Sequence, residues 1–235
     1  MIMLPHPLLI QGGMGIGVSN WRLARAVARE GQLGVVSGTC IDSLFIRRLQ
    51  DGDPGGHLRS VMDSFPIPRV SAEVMRRYFV PGGREASQPY KLLPMWQENM
   101  SRFRIELTML ASYCEVMLAR DGHDHPVGMN LLTKVQLPNL ATLYGAMLAG
   151  VAYVIMGAGI PREIPGVLDA FARGDVARMR FDVEGLPRDE VRELTLDPHT
   201  HFENPPLLQR PAFLPVVSAH SLAIMLARKA NGRID

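Results

Sequence analysis

Cysteine is scarce in this chain. Cys40 and Cys114 are the only two among 235 residues, far apart and without CxxC spacing, which excludes a disulfide framework or zinc ribbon and points to a reducing, cytoplasmic setting. A dominant charge is missing as well: 25 Lys and Arg stand against 23 Asp and Glu. Aromatic residues make up only 6%, so both the basic field and the stacking rings of a nucleic-acid binder are lacking. Arg22, Arg25, Arg29, Arg47 and Arg48 are interspersed with Glu30, Asp42 and Asp51 and read as a solvated helical face. No basic segment precedes the apolar N-terminal residues, which end at Gln11, so no secretory signal is expected. Residues 135–161 carry no charge and reach the roughly 20 residues of a membrane span. Pro138-Asn139 and Gly150 divide that stretch into a helix, a turn and a strand, so no membrane partner is expected.

What the chain does have is a globular composition, 47% hydrophobic and 20% charged, and a rhythm of short apolar runs followed by small residues and helix signals. That rhythm is the signature of repeated βα units. Strands are expected at 8–10, 33–37, 127–132, 153–156 and 213–217. Helices are expected at 20–30, with Ser19 as N-cap and Leu23, Ala26 and Val27 on the buried face, and at 139–149, 163–172 and 220–230. Two insertions interrupt the pattern. Residues 41–122 read as a helical excursion or lid with a long amphipathic helix at 101–120. Residues 176–204 alternate apolar and polar side chains around Gly185-Leu-Pro187 and read as a peripheral β-ribbon. The expected architecture is one α/β domain over 1–235, an incomplete TIM-type (β/α) barrel of about five units. A complete barrel uses about 250 residues. The alternative is a doubly wound sheet, which differs in strand order.

Several residues invite a chemical reading. The cluster Gly12-Gly-Met-Gly-Ile-Gly17 follows a strand and precedes a helix, where backbone without Cβ atoms can approach a flat ring or a phosphate. It does not complete a dinucleotide fingerprint, because Val18 stands where a third glycine is required. Asn130 is an amide inside an apolar strand, so either neighbouring backbone or a ligand edge must satisfy it. His220 follows the last strand. The pairs His123/His125 and His199/His201 lack a third ligand at any defined spacing and read as solvated loop histidines, and no metal is expected. Cys40 has no evident base and reads as an ordinary buried thiol.

The combination of Leu9-Ile-Gln-Gly-Gly-Met14, Leu33-Gly-Val-Val-Ser-Gly38, Val127-Gly-Met-Asn-Leu131 and Val154-Ile-Met-Gly-Ala-Gly159 resembles the nitronate monooxygenase family, formerly the 2-nitropropane dioxygenases. Relatives of that family include FMN-dependent enoyl-ACP reductases. Leu49-Gln-Asp-Gly-Asp-Pro-Gly-Gly56, Gln136-Leu-Pro-Asn139 and Ile160-Pro-Arg-Glu-Ile-Pro-Gly166 extend the likeness to a bacterial branch of larger proteins. The resemblance implies a βα barrel with FMN at the C-terminal ends of its strands. Gln11, Gly12, Gly13 and Met14 would lie under the flavin ring and Asn130 would bond its polar edge, with Gly157, Gly159, Ser218 and His220 lining the same mouth. The implied reaction is oxidation of an alkyl nitronate with O2. Reduction of an enoyl thioester, or a non-catalytic half-barrel that assembles with copies of itself as a homo-oligomer or with a complementing C-terminal half, is the alternative. The family's Gly-Gly-His segment with its catalytic histidine is not found in these residues, so an N-terminal portion of such a barrel is expected and no catalytic residue is assigned.

Overall fold

The computed structural model describes residues 7–187 and 190–235. In chain order the elements are α1 (Trp21–Arg29), β1 (Gly34–Ser37), α2 (Ile41–Gln50), α3 (His57–Met62), α4 (Pro68–Tyr78), α5 (Arg102–Arg120), β2 (Val127–Leu132), α6 (Asn139–Leu148), β3 (Tyr153–Gly157), α7 (Ile164–Arg173), β4 (Ala177–Phe181), β5 (Arg192–Leu196), β6 (Ala212–Pro215) and α8 (His220–Lys229). Four strands form a parallel sheet in the order β1-β2-β3-β6. The chain is thus α/β, with a four-stranded parallel sheet and eight α-helices among the described residues.

The strands add in sequence order and never reverse, so the described sheet has no switch point of the kind at which doubly wound folds bind nucleotides. Alternation along each strand separates two faces. Val36, Met129, Val154 and Phe213 share one face through their register and join the main core with the helices. Leu33, Val35, Tyr153 and Ile155 form a separate small cluster on the other face. At the outer edge of β6, the Asp235 N–H donates to Phe213 O (3.1 Å) and Asp235 Oδ2 accepts from Phe213 N (2.9 Å), so this edge is paired rather than bare.

The main core is organised by α5. Ser101 caps its start by accepting from Arg104 N–H, and 14 of its 19 residues are buried. It packs against α1, α2, α3, α4, α6, β1 and β2. Three buried charges on this helix each have partners. Glu106, 0% exposed, accepts from Arg69 (2.7 Å), Arg102 (2.8 Å) and His201 Nδ1 (3.1 Å). Arg104 pairs with Asp42 at 2.7 Å, which also accepts from Trp96 Nε1 and Thr108 Oγ1. Glu115 accepts the Trp21 N–H (2.8 Å) and pairs with Arg48.

Several expectations change here. The strand at 8–10 is reduced to one parallel bridge, Ile10 to Leu33, because Leu8 and Leu9 are exposed and have no second partner strand among the described residues to bury them. Asn20, not Ser19, caps α1, since the Ser19 hydroxyl is engaged by Met14 O at 2.6 Å. The buried face of α1 is Trp21, Ala24 and Ala28; Leu23 is exposed, because the Trp21 N–H is anchored on Glu115 and fixes the helix rotation. The helix at 101–120 is buried nearly all round rather than amphipathic, so the helices of the segment at 41–122 belong to the core, while its loop at 81–100 lies at the surface. The ribbon forms as expected, β4 antiparallel to β5, but it is less peripheral: Ala177, Met179, Leu194 and Leu196 join the main core. His201 is buried on Glu106, which corrects its reading as a solvated loop histidine. Among the described residues no helix is long and apolar enough to cross a membrane.

Burial alone would raise the carboxyl pKa of Glu106, but the bonds from His201, Arg69 and Arg102 outweigh it and hold the group at about 2, below its usual 4.5. A depressed carboxyl stabilises the fold fully above its unfolded pKa and loses that contribution as the pH falls through the folded one. Glu106→Gln should cost about 1–3 kcal/mol at pH 7. In urea unfolding, the gap between wild type and variant should narrow as the pH is lowered from about 4.5 towards 2; a gap independent of pH would show that the charge contributes nothing.

Candidate functional site

Parallel α/β folds expose functional groups at the C-terminal ends of their strands, and here two features meet that edge. The first is the loop at 11–19 over β1 and β2. Leu33 N–H donates to Leu9 O and Gln11 N–H to Leu33 O, both short ladder bonds. The Gln11 side chain then extends this pairing, its Oε1 accepting from Val35 N–H (3.0 Å) and its Nε2 donating to Ser19 Oγ (3.1 Å). Ser37 N–H donates to Ser19 O (2.8 Å), closing the loop over the end of β1.

Within the loop, Gly13, Gly15 and Gly17 have positive φ (69°, 94° and 76°), while Met14 and Ile16 between them do not. Gly13 is required sterically as well, since a Cβ there would lie 2.4 Å from Val35 Cγ1 and 2.9 Å from Asn130 Cβ. Asn130, 5% exposed, donates from Nδ2 to Gly12 O at 3.0 Å. Among the described residues its Oδ1 accepts no hydrogen bond and the N–H groups of residues 12–17 donate none. The loop thus offers a row of backbone donors beside one amide acceptor, an arrangement that suits the edge of a polar ligand.

The second feature is a cleft of about 720 Å³ beyond β2 and β3. Its walls come from the turn after β2 (Thr133, Lys134), the turn after β3 (Ala158 to Arg162), the start of α7, the ribbon and α8. Gly159 packs on Thr133, where a Cβ would lie 2.8 Å from Thr133 Cβ. Gly157 ends β3 opposite Leu132.

The structure therefore brings Gln11, Gly12, Gly13 and Asn130 into one contact group, with Met14 exposed at its surface. Gly159 lines the cleft instead. Ser218 and His220 are exposed before and at the start of α8, and their side chains have no hydrogen-bond partner among the described residues. Cys40 is exposed, not buried, and takes a left-handed conformation (φ 55°) at the turn from β1 into α2. Partial burial and the Asp42 charge raise its thiol pKa, which keeps it protonated at neutral pH and disfavours a nucleophilic role. No group of three or more metal-ligating side chains occurs among the described residues.

Lys134, Arg162, Arg180 and Lys229 were not identifiable as site residues from the sequence. Lys134 and Arg162 follow strand ends, a weak signal. Arg180 and Lys229 arrive from the ribbon and α8, which only the fold places beside them. No protein-family model matches the chain, and no curated protein shows significant similarity to it.

Gly82, in the turn after α4, allows backbone conformation to be separated from packing at Gly13 in the loop. Gly82 has φ 78° with nothing near its missing Cβ, whereas Gly13 has φ 69° with Val35 and Asn130 against it. Gly82→Ala should cost about 1 kcal/mol and Gly13→Ala about 2–4 kcal/mol in chemical denaturation. Equal costs would mean that the loop at 11–19 does not pack as described.

Proposed function

We propose that this chain is an FMN-dependent oxidoreductase of the nitronate monooxygenase type, built on a partial βα barrel with the flavin ring at the loop of residues 11–19. Sheet order supports the barrel reading, since sequential parallel strands with a helical core on one face are what a closing barrel requires. The observation that carries the site is the row of N–H groups at 12–17 beside Asn130 Oδ1, all without a partner among the described residues. These groups fit an isoalloxazine edge, which presents carbonyl acceptors next to an N–H donor. Gly12, whose missing Cβ faces only Met14 Cε at 3.8 Å, leaves room for a flat ring.

Gln11 and Ser19 hold the loop on β1, the loop amides orient the ring, and Met14 shields it from water. FMN, when bound, would accept electrons from the substrate and pass them to O2. No residue is assigned as the base. Two unpaired thiols, Cys40 and Cys114, fit a cytoplasmic setting.

A second reading, an assembling half-barrel, is favoured by one observation. Leu8, Leu9 and Val18 are 90%, 67% and 71% exposed along the β1 side of the sheet, an apolar strip of the kind that marks association sites. A homo-oligomer or a complementing C-terminal half would cover it.

Titrating the chain with FMN should perturb the visible flavin spectrum and quench its fluorescence saturably. Asn130→Ala should weaken binding about tenfold, the effect of one lost hydrogen bond to the ring edge. Oxygen uptake with an alkyl nitronate tests the reaction, and an enoyl thioester with reduced flavin tests the reductase alternative. No FMN binding by a folded monomer in sedimentation would overturn both readings.

A further inference from the structure

We propose that the cleft beyond β2 and β3 binds an organic phosphate, a phosphomonoester carried on an apolar body. Charge is the first reason. Four cations, Lys134, Arg162, Arg180 and Lys229, face two carboxylates, Glu163 and Asp182, a surplus of two positive charges that matches a phosphomonoester near neutrality. Glu163 contacts Arg162 and Arg180 at 3.8 and 3.9 Å, and Arg180 also meets Glu193 at 3.8 Å, so the arginines are partly compensated and the lysines carry the free charge. Lys134 and Lys229 form no ion pair among the described residues.

The backbone and the lining supply the rest. The N–H groups of Ala158, Gly159 and Ile160 donate to no acceptor among the described residues, and Ala158 holds a left-handed φ of 56° that a non-glycine residue rarely adopts. Beneath them, Thr133 Oγ1 is buried without a hydrogen-bond partner. Donors and cations therefore converge where β3 ends. Ile164, Met179 and Met225 add an apolar part to the wall beside Gln136 and Asn139, so a bare inorganic ion would leave most of the 720 Å³ unused, a volume within the range of roughly 300–1,000 Å³ typical of small-molecule sites.

The inference does not rest on the flavin reading: it uses no residue of the loop at 11–19 and is tested without flavin. Calorimetric titration of the full chain with phenyl phosphate should show one saturable site, with no comparable binding of benzyl alcohol. A Lys134→Ala/Arg162→Ala double variant, both residues exposed and removable without disturbing the core, should bind phenyl phosphate at least tenfold more weakly while keeping its circular dichroism spectrum. No saturable binding, equal binding of benzyl alcohol, or an unchanged double variant would overturn the proposal. Competition by FMN but not by riboflavin would identify the phosphate as the flavin's own; phenyl phosphate binding undisturbed by FMN would identify a separate phosphorylated ligand.

Discussion

The structure depends on compensating the charges buried with α5. Arg104, Glu106 and Glu115 lie on a helix with little access to water, and an unpaired charge there would cost several kcal/mol. Each is met by residues from other elements. Glu115 is met by the Trp21 N–H of α1 and by Arg48 of α2, Arg104 by Asp42 of α2, and Glu106 by Arg69 of α4 and His201 from the segment after the ribbon. Such pairs add little stability over apolar side chains of similar volume. What they fix is position: rotating α1 or sliding α2 would strand a carboxylate, so the helical layer has one arrangement.

That fixed layer determines what the sheet can present. With the main core on one face and strands added in sequence order, the C-terminal ends of all four strands lie along one edge. Strand β2 joins the two features found there. Asn130, within the strand, lies under Gly12 and Gly13 of the glycine loop, and Thr133, just past its end, lies under Gly159 at the cleft. A shift in the register of β2 would therefore disturb both. The register is held by pairing to β1 and β3 on either side and by Val127, Met129 and Leu131 in the main core.

Local pattern alone located the elements whose reasons are local. The run at 127–132 is apolar and bounded by turn residues, and β2 has those same bounds; α6, α7 and the ribbon lie where composition and periodicity put them. The discrepancies share a different cause, a partner far along the chain. Ser19 is a good capping residue, but Met14 O takes its hydroxyl and Asn20 caps instead. His201 is polar and next to Pro-containing segments, yet Glu106, 95 positions earlier, draws it into the core. The charges of α5 looked like an exposed face because sequence does not reveal that Asp42, Arg48 and Arg69 answer them. The cleft was illegible for the same reason, since two of its four cations come from elements with no sequence relation to the strand ends.

The glycine cluster shows how one motif can divide its work. Read as sequence, six residues with four glycines suggest room for a ligand throughout. In the fold, the space beside Gly13 is already filled by Val35 and Asn130, so its lack of a side chain serves the sheet and not a ligand. Gly12 and Gly15 meet only ordinary contacts, with Met14 Cε at 3.8 Å and Val18 Cβ at 3.4 Å, and the amides without a partner among the described residues lie beside Met14 and Ile16, which are 67% and 49% exposed. A surface that is apolar and rich in donors suits a flat heteroaromatic ring better than a phosphate, whose charge calls for cations. The nearest concentration of cations is the cleft past β3. Ring recognition and anion recognition thus favour different ends of the same strand edge, and a ligand carrying both groups would have to reach across β2 to satisfy them together.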